Sequence, residues 1–274
     1  MLFSASFIHG ATQKKPNIIL ILTDDQGYGD MAVHGHPHLE TPNMDRLHDE
    51  SVRFDRFYVS PSCSPTRAAL MTGMHEFRNG VTHTIQPREK LYKGAVTIAD
   101  ILKEGGYKTG FVGKWHLGND KGYAPQYRGF DWYAKNAKGP HNHFDVEMIR
   151  NGRRHKTEGF REDAFFDEAM TFMKEAGEQP FFLYLCTYSP HTPLGAPENL
   201  LKKYREKGLN ENHAAYLAMI ENIDDNLGRL DQFLKREKLY DDTLVIFMND
   251  NGVTVGLDVY NADRRGPKGT IWEG

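Results

Sequence analysis

The chain has 274 residues, 39% hydrophobic and 26% charged, with a formal net charge of −3. That length suits one large domain or two small ones with a sizeable core, and the composition excludes a disordered or fibrous chain. There is no basic surplus for a phosphate backbone and no apolar run near the roughly 20 residues of a membrane span. Two cysteines leave neither a disulfide framework nor a thiolate zinc site.

Residues 1–11 are mildly apolar and end in Gly10 and Ala11, but lack a basic start, so they read as a weak remnant of a secretory signal. Residues 1–15 are then a lead-in and residues 16–274 one domain. Residues 17–23 (NIILILT) predict a strand buried on both faces. In residues 62–73, Ser64 is the expected N-cap, Pro65 the first helical residue and Gly73 the stop. Residues 97–104 predict a helix capped by Thr97 and ended by Gly105 and Gly106. A strand follows at 108–113, then long loops with short elements over 118–157. A helix at 162–176, a strand at 180–188, a long amphipathic helix at 213–238 and a strand at 243–248 complete the pattern. This alternation predicts an α/β fold with a mostly parallel central sheet and helices on both faces.

Parallel strands end on one side of a sheet, and ligands bind beyond those ends. Each expected strand is followed at once by polar residues: Asp24-Asp25, Lys114-Trp115-His116, Ser189-Pro190-His191 and Asn249-Asp250-Asn251. Groups distant in sequence are therefore expected to converge. Asp24, Asp25, Asp250 and Asn251 offer only oxygen ligands, which suits a hard cation, Ca²⁺ or Mg²⁺. Adjacent aspartates on a strand face opposite ways, so sharing one ion needs a bend, which Gly27 and Gly29 make easy. A plain acidic turn is the alternative for either pair alone.

Cys63 lies just before the expected helix start, where free amides and the helix dipole favour an anion. Arg67 lies one turn along and can reach back beside it. Polar neighbours argue for an accessible, activated thiol; a buried, inert cysteine is the alternative, and is the reading for Cys186. Lys114 and His116 are expected on one side with Trp115 packed on the other. Lys268 lies in the Gly- and Pro-containing loop 264–270. His34, His36 and His38 have a metal-like spacing without a supporting cluster, so the ligand reading is the weaker one. His141 and His143 read as solvated loop.

The run Cys63-Ser64-Pro65-Thr66-Arg67, continued through Gly73, resembles the signature of the type I, formylglycine-dependent sulfatases. That arylsulfatase-like family belongs to the alkaline phosphatase superfamily. Similar blocks follow family order at 24–30, 113–118, His191, 250–252 and 268–270. The resemblance implies a divalent metal, usually calcium, held by Asp24, Asp25, Asp250, Asn251 and residue 63. It implies that a formylglycine-generating enzyme oxidises Cys63, and that the hydrated aldehyde attacks sulfur. Arg67 and Lys114 would hold the hydrate, His116 would take a proton from its second hydroxyl, and His191 and Lys268 would bind sulfate and assist the leaving group. The implied substrate is a sulfated small molecule or glycan, and the implied location periplasmic or secreted.

Two residues depart from the family pattern: Asn249 where Ser or Thr is usual, and Pro267 where Gly is common. Family members also continue into an antiparallel C-terminal subdomain. The chain is therefore expected to be truncated, with Lys268 on a tether held at one end. The competing readings are a phosphonate or phosphate ester hydrolase on the same scaffold, and a non-catalytic fragment or binding protein.

Overall fold

The computed structural model describes residues 14–273. The signal-remnant reading of residues 1–11 lies outside the described residues. Seven strands form one sheet: β1 (Asn17–Asp24), β2 (Lys108–Gly113), β3 (Trp132–Asn136), β4 (Glu147–Arg150), β5 (Arg153–Lys156), β6 (Phe181–Pro190) and β7 (Thr243–Asn249). Their order is β5-β4-β3-β2-β6-β1-β7. Pairing is parallel from β3 through β7 and antiparallel at β3–β4 and β4–β5. The helices are α1 (Pro42–Glu50), α2 (Cys63–Thr72), α3 (Glu76–Asn79), α4 (Ile98–Glu104), α5 (Arg161–Ala176), α6 (Glu198–Glu206) and α7 (Glu211–Arg236).

The continuous apolar run of β1 is needed because both faces of that strand are covered. Ile19 and Ile21 enter one core with Phe165, Phe172, Leu217 and Ile220, on the side of α5 and α7. Leu20 and Leu22 enter the other with Ala68, Met71 and Ala99, on the side of α2 and α4. Each such side chain contributes about 1.5–3 kcal/mol relative to exposure. Thr97 caps α4 through a reciprocal pair with Asp100: its side chain accepts from Asp100 N, and the Asp100 carboxylate accepts from Thr97 N.

The segment expected as long loops with short elements carries three short strands, β3, β4 and β5. The turn between β4 and β5 is Asn151-Gly152, both at positive φ (48° and 84°). That dipeptide is the preferred two-residue hairpin turn, because its backbone matches the twist of the flanking strands. The strands around it are only four residues long, and the second, RRHK, has no apolar residue, so periodicity hides them.

Strands β1, β2, β6 and β7 are mutually parallel, so their carboxyl ends share one rim. Gly113, the last residue of β2, has φ 96°, and a Cβ there would lie 1.8 Å from the Cys186 carbonyl oxygen on β6. That carbonyl also accepts from Lys114 N at 3.0 Å. Only glycine lets β2 and β6 close at the point where Lys114 is launched. Gly113→Ala is expected to destabilise the fold by at least ~3 kcal/mol in urea unfolding; a loss below ~1 kcal/mol would contradict this packing.

Candidate active site

The turn that brings the two aspartates together falls at Asp25 itself, not at Gly27 or Gly29. The β1–β6 register shifts between Leu22 and Asp24, and Asp25 has φ 70°. This breaks the strand alternation, so both carboxylates reach one place. Ligand atoms of Asp24, Asp25, Cys63 and Asp250 all lie within 4.8 Å of one another. The Asp250 carboxylate also accepts from Asp25 N at 3.1 Å, which pins the turn.

Helix α2 begins at Cys63, two residues before the expected Pro65, with Ser62 rather than Ser64 in the capping position. Ser64 is fully buried and has no freedom to act as an exposed cap. Cys63 is itself only 1% exposed, against the expectation of an accessible thiol. Burial and the Asp24 charge push the thiol up to about 12, despite Lys114 and Lys268 nearby. The anion-favouring helix start is outweighed, and the group stays a protonated thiol at neutral pH. Burial likewise pushes Cys186 up to about 12.

Three cations answer the three carboxylates. The fully buried Arg67 guanidinium donates to Asp250 Oδ2 at 2.7 and 3.1 Å and to the Lys114 carbonyl at 2.7 Å, with Asp24 Oδ1 at 3.5 Å. Lys114 Nζ lies 2.5 Å from Asp24 Oδ2. Lys268 Nζ donates to Asp25 Oδ1 and stands 3.2 Å from Cys63 Sγ. His191 Nε2 lies 3.7 Å from Asp25 Oδ2. The Lys268 loop is anchored on both sides of that lysine's Cα: Lys268 N donates to the Val253 carbonyl and Gly269 N to the Pro61 carbonyl. The expected one-ended tether is therefore not what holds Lys268.

Burial opposes the Asp24 charge, but Lys114 and Arg67 outweigh it and hold that carboxyl well below the usual range. Burial and the Asp24 charge push Asp250 up. The two buried carboxylates resist ionising together, so the site favours additional positive charge. Asn251 donates to Asp25 Oδ1 at 2.8 Å, while its own Oδ1 is buried without a hydrogen-bond partner. Three carboxylates and an orphaned amide oxygen fit a hard divalent cation. The soft thiol is the outlier in that set, and an oxygen at position 63 would complete it.

The sulfatase family profile matches residues 16–272. The chain belongs to the sulfatase family. It is 31% identical to mouse arylsulfatase J over 96% of its length and 47% of that protein's. It is 33% identical to human N-acetylgalactosamine-6-sulfatase over 97% of its length and 56% of that protein's. The chain thus spans about half the length of these curated relatives. The crystal structure of Ps i-CgsB in complex with k-i-k-neocarrahexaose superposes with a TM-score of 0.86 at 33% identity, covering 95% of this chain and 64% of that one.

In this sulfatase-family chain His116 stands apart from the acidic cluster. It has φ 56°, so strand alternation does not govern its direction, whereas Trp115 packs on Phe111 and Phe130 as expected. His116 Nε2 is 3.1 Å from the Thr84 carbonyl and 3.4 Å from Glu89, and Nδ1 is buried without a partner. The carbonyl requires a donor, which assigns the proton to Nε2 and leaves the Nδ1 lone pair free. Burial, Lys114 and Arg67 push the imidazole down to about 3, so it is uncharged at neutral pH.

Two supports were not legible in the sequence. Glu162, fully buried at the start of α5, accepts from Ser189 N at 3.2 Å, Ser189 Oγ at 2.9 Å and Arg161 at 2.8 and 3.0 Å. It fixes the end of β6 that carries His191. Tyr216 on α7 has its hydroxyl 2.6 Å from Asp30 Oδ2 and 2.8 Å from the Asp25 carbonyl. A charged pair at a helix start ordinarily reads as solvated, and nothing local marks Arg161-Glu162 as buried.

The histidine triplet serves packing. His34 stacks on Tyr28 with centroids 4.2 Å apart. His36 Nδ1 accepts from Leu39 N at 3.0 Å and His38 N at 3.2 Å. Burial pushes His36 down to about 4, so its contribution is present above the unfolded value near 6.5 and is lost as pH falls toward 4. His36→Asn is expected to remove roughly 1–2 kcal/mol of that pH dependence, after solvent screening, in unfolding between pH 7 and 4; an unchanged slope would refute it.

Arg67→Met would leave Asp24 and Asp250 with one buried cation between them. The expected loss is ~3–5 kcal/mol, against about 1 kcal/mol for Lys268→Met at the more accessible rim. Equal losses in chemical denaturation would show that burial does not set the difference.

Proposed function

We propose that the protein hydrolyses sulfate esters, with position 63 as nucleophile after its oxidation to formylglycine. The observation that carries this reading is the placement of Cys63 Sγ among the ligand atoms of Asp24, Asp25 and Asp250 and 3.2 Å from Lys268 Nζ, in a sulfatase-family chain. Burial and the Asp24 charge push the Cys63 thiol up to about 12, which disfavours a thiolate nucleophile and supports the oxidised form in its place. Hydrated formylglycine would supply the attacking hydroxyl and a second hydroxyl through which sulfate is expelled. Calcium or magnesium held by Asp24, Asp25, Asp250, Asn251 and residue 63 would supply charge neutralisation.

The remaining work falls to the chain's own side chains. Arg67 holds Asp250 and Asp24 in place. Lys114, bonded to Asp24, and Lys268, beside position 63, meet the charge that develops on the sulfate oxygens. His191, 3.7 Å from Asp25, and Lys268, 3.2 Å from Cys63 Sγ, would assist the departing ester oxygen, and either could donate to it. Neutral His116 has a free nitrogen to take the proton released when sulfate leaves. The substrate is a sulfated small molecule or glycan; the carbohydrate bound by the Ps i-CgsB structure supports the glycan. We further infer a formylglycine-generating partner and action in the periplasm or outside the cell.

Trypsin should release residues 57–67 as one peptide. In active material its mass should show loss of H₂S and gain of O, and it should react with hydrazides. Chelation or Asp250→Ala should abolish 4-nitrophenyl sulfate turnover. An unmodified thiol in material that hydrolyses the ester, or turnover unaffected by either treatment, would reject the reading.

A further inference from the structure

A cavity of about 720 Å³ opens beside the acidic cluster, and Asn251 and Lys268 form part of its wall. Its lining also includes Tyr28, Tyr58, Arg264 and Trp272. Two arginines from one loop face it, and their circumstances differ. Arg265 is neutralised by Glu273, with Nε 3.1 Å from the carboxylate, and lies 4.1 Å over the Trp272 ring. Arg264 has no carboxylate partner among the described residues. Its guanidinium lies 4.5 Å over the ring of Tyr28, which is itself stacked on His34.

The turn that presents Arg264 is held against its own backbone preferences. Ala262 and Asp263 both have positive φ, 47° and 59°, at a cost of order 1 kcal/mol each. Buried Asn261 fixes the turn, accepting from Arg264 N and donating to the Arg264 carbonyl, each at 2.8 Å. Gly29 lets the turn pack against the exit of β1, since a Cβ there would lie 3.0 Å from the Asn261 and Ala262 backbone. A rigidly supported, unneutralised guanidinium in the same cavity as Lys268 is a fixed positive charge with open donors. Guanidinium suits bidentate recognition of carboxylate and sulfate oxygens, and a ring beneath it keeps the donor plane in place without consuming those donors.

We propose that Arg264 is a specificity-determining residue that binds a second anionic substituent, sulfate or carboxylate, on the sugar whose sulfate ester lies at position 63. The protein then selects substrates carrying at least two anionic groups, and Trp272 lines the same cavity as an apolar surface for the sugar. This rests on the sulfate-ester reading of the neighbouring site.

The test uses direct calorimetry on the whole chain carrying Cys63→Ala, so that no turnover intervenes. The probes are mono- and disulfated galactose, glucosamine and fucose, together with a monosulfated hexuronic acid. At least one doubly anionic sugar should bind ten- to a hundredfold more tightly than its singly anionic counterparts. Arg264→Ala should abolish that ratio, Arg264→Lys should retain part of it, and Arg265→Ala should leave it in place. The relative response of the disulfates and the uronate tells which anion is preferred. If no doubly anionic sugar gains tenfold, or if the ratio survives Arg264→Ala, the proposal is overturned. Failure of the unsubstituted chain, with Cys63 converted to formylglycine, to hydrolyse 4-nitrophenyl sulfate would instead reject the hydrolase reading. A ratio that still depends on Arg264 would in that case leave the anion site standing.

Discussion

The buried guanidinium of Arg67 is the constraint on which the rest of the site depends. It joins the first turn of α2 to Asp250 after β7, to Asp24 at the end of β1 and to the carbonyl of Lys114 after β2. Four chain segments distant in sequence are thereby fixed to one planar group. Taking that charge out of water costs several kcal/mol, and its carboxylate partners offset the cost only because the geometry is close. Such a cluster is weak support for stability, and its main effect is to set positions. The acids cannot drift apart without leaving a buried charge unpaired, and Cys63, one turn before Arg67, is carried with them.

The same electrostatics account for the state of each group. Asp24 remains ionised because two cations flank it, while Asp250 is pushed up by burial and by Asp24. The orphaned Asn251 oxygen beside them would be available to a cation held there. Cys63 feels the opposite effect: the field that suits a cation disfavours a thiolate. A helix N-terminus predicts an activated cysteine only where burial and neighbouring acids do not oppose it. Here they do, and the field around Cys63 favours the protonated thiol.

The outer elements act through this inner set. Glu162 holds the strand end that carries His191, and Tyr216 with Asp30 supports the turn at Asp25. Neither side chain is among the ligand atoms gathered around Cys63. Both are buried polar groups with their hydrogen bonds satisfied, an arrangement that rigidifies a site. The cavity beyond Lys268 is built from a strained turn instead, and its charge is left open toward solvent.

Four strands, four of the helices and the gathering of polar residues at strand ends were legible because each rests on local pattern. A β-branched run, a Thr-x-x-Asp capping box and a three-and-four apolar stripe specify their elements wherever they occur. The short basic hairpin at Asn151-Gly152 escaped because its strands lack periodicity, although its turn dipeptide was visible. What the sequence alone determined was therefore the sheet, its direction and the chemical kinds gathered at its rim. Only the tertiary structure decided which of those groups are buried, and with burial their charge. The bend at Asp25, the inert thiol at Cys63 and the separate seat of His116 all follow from neighbours brought in from elsewhere in the chain. Proton affinity depends on desolvation and on charges a few ångströms away, and neither is written in the order of residues.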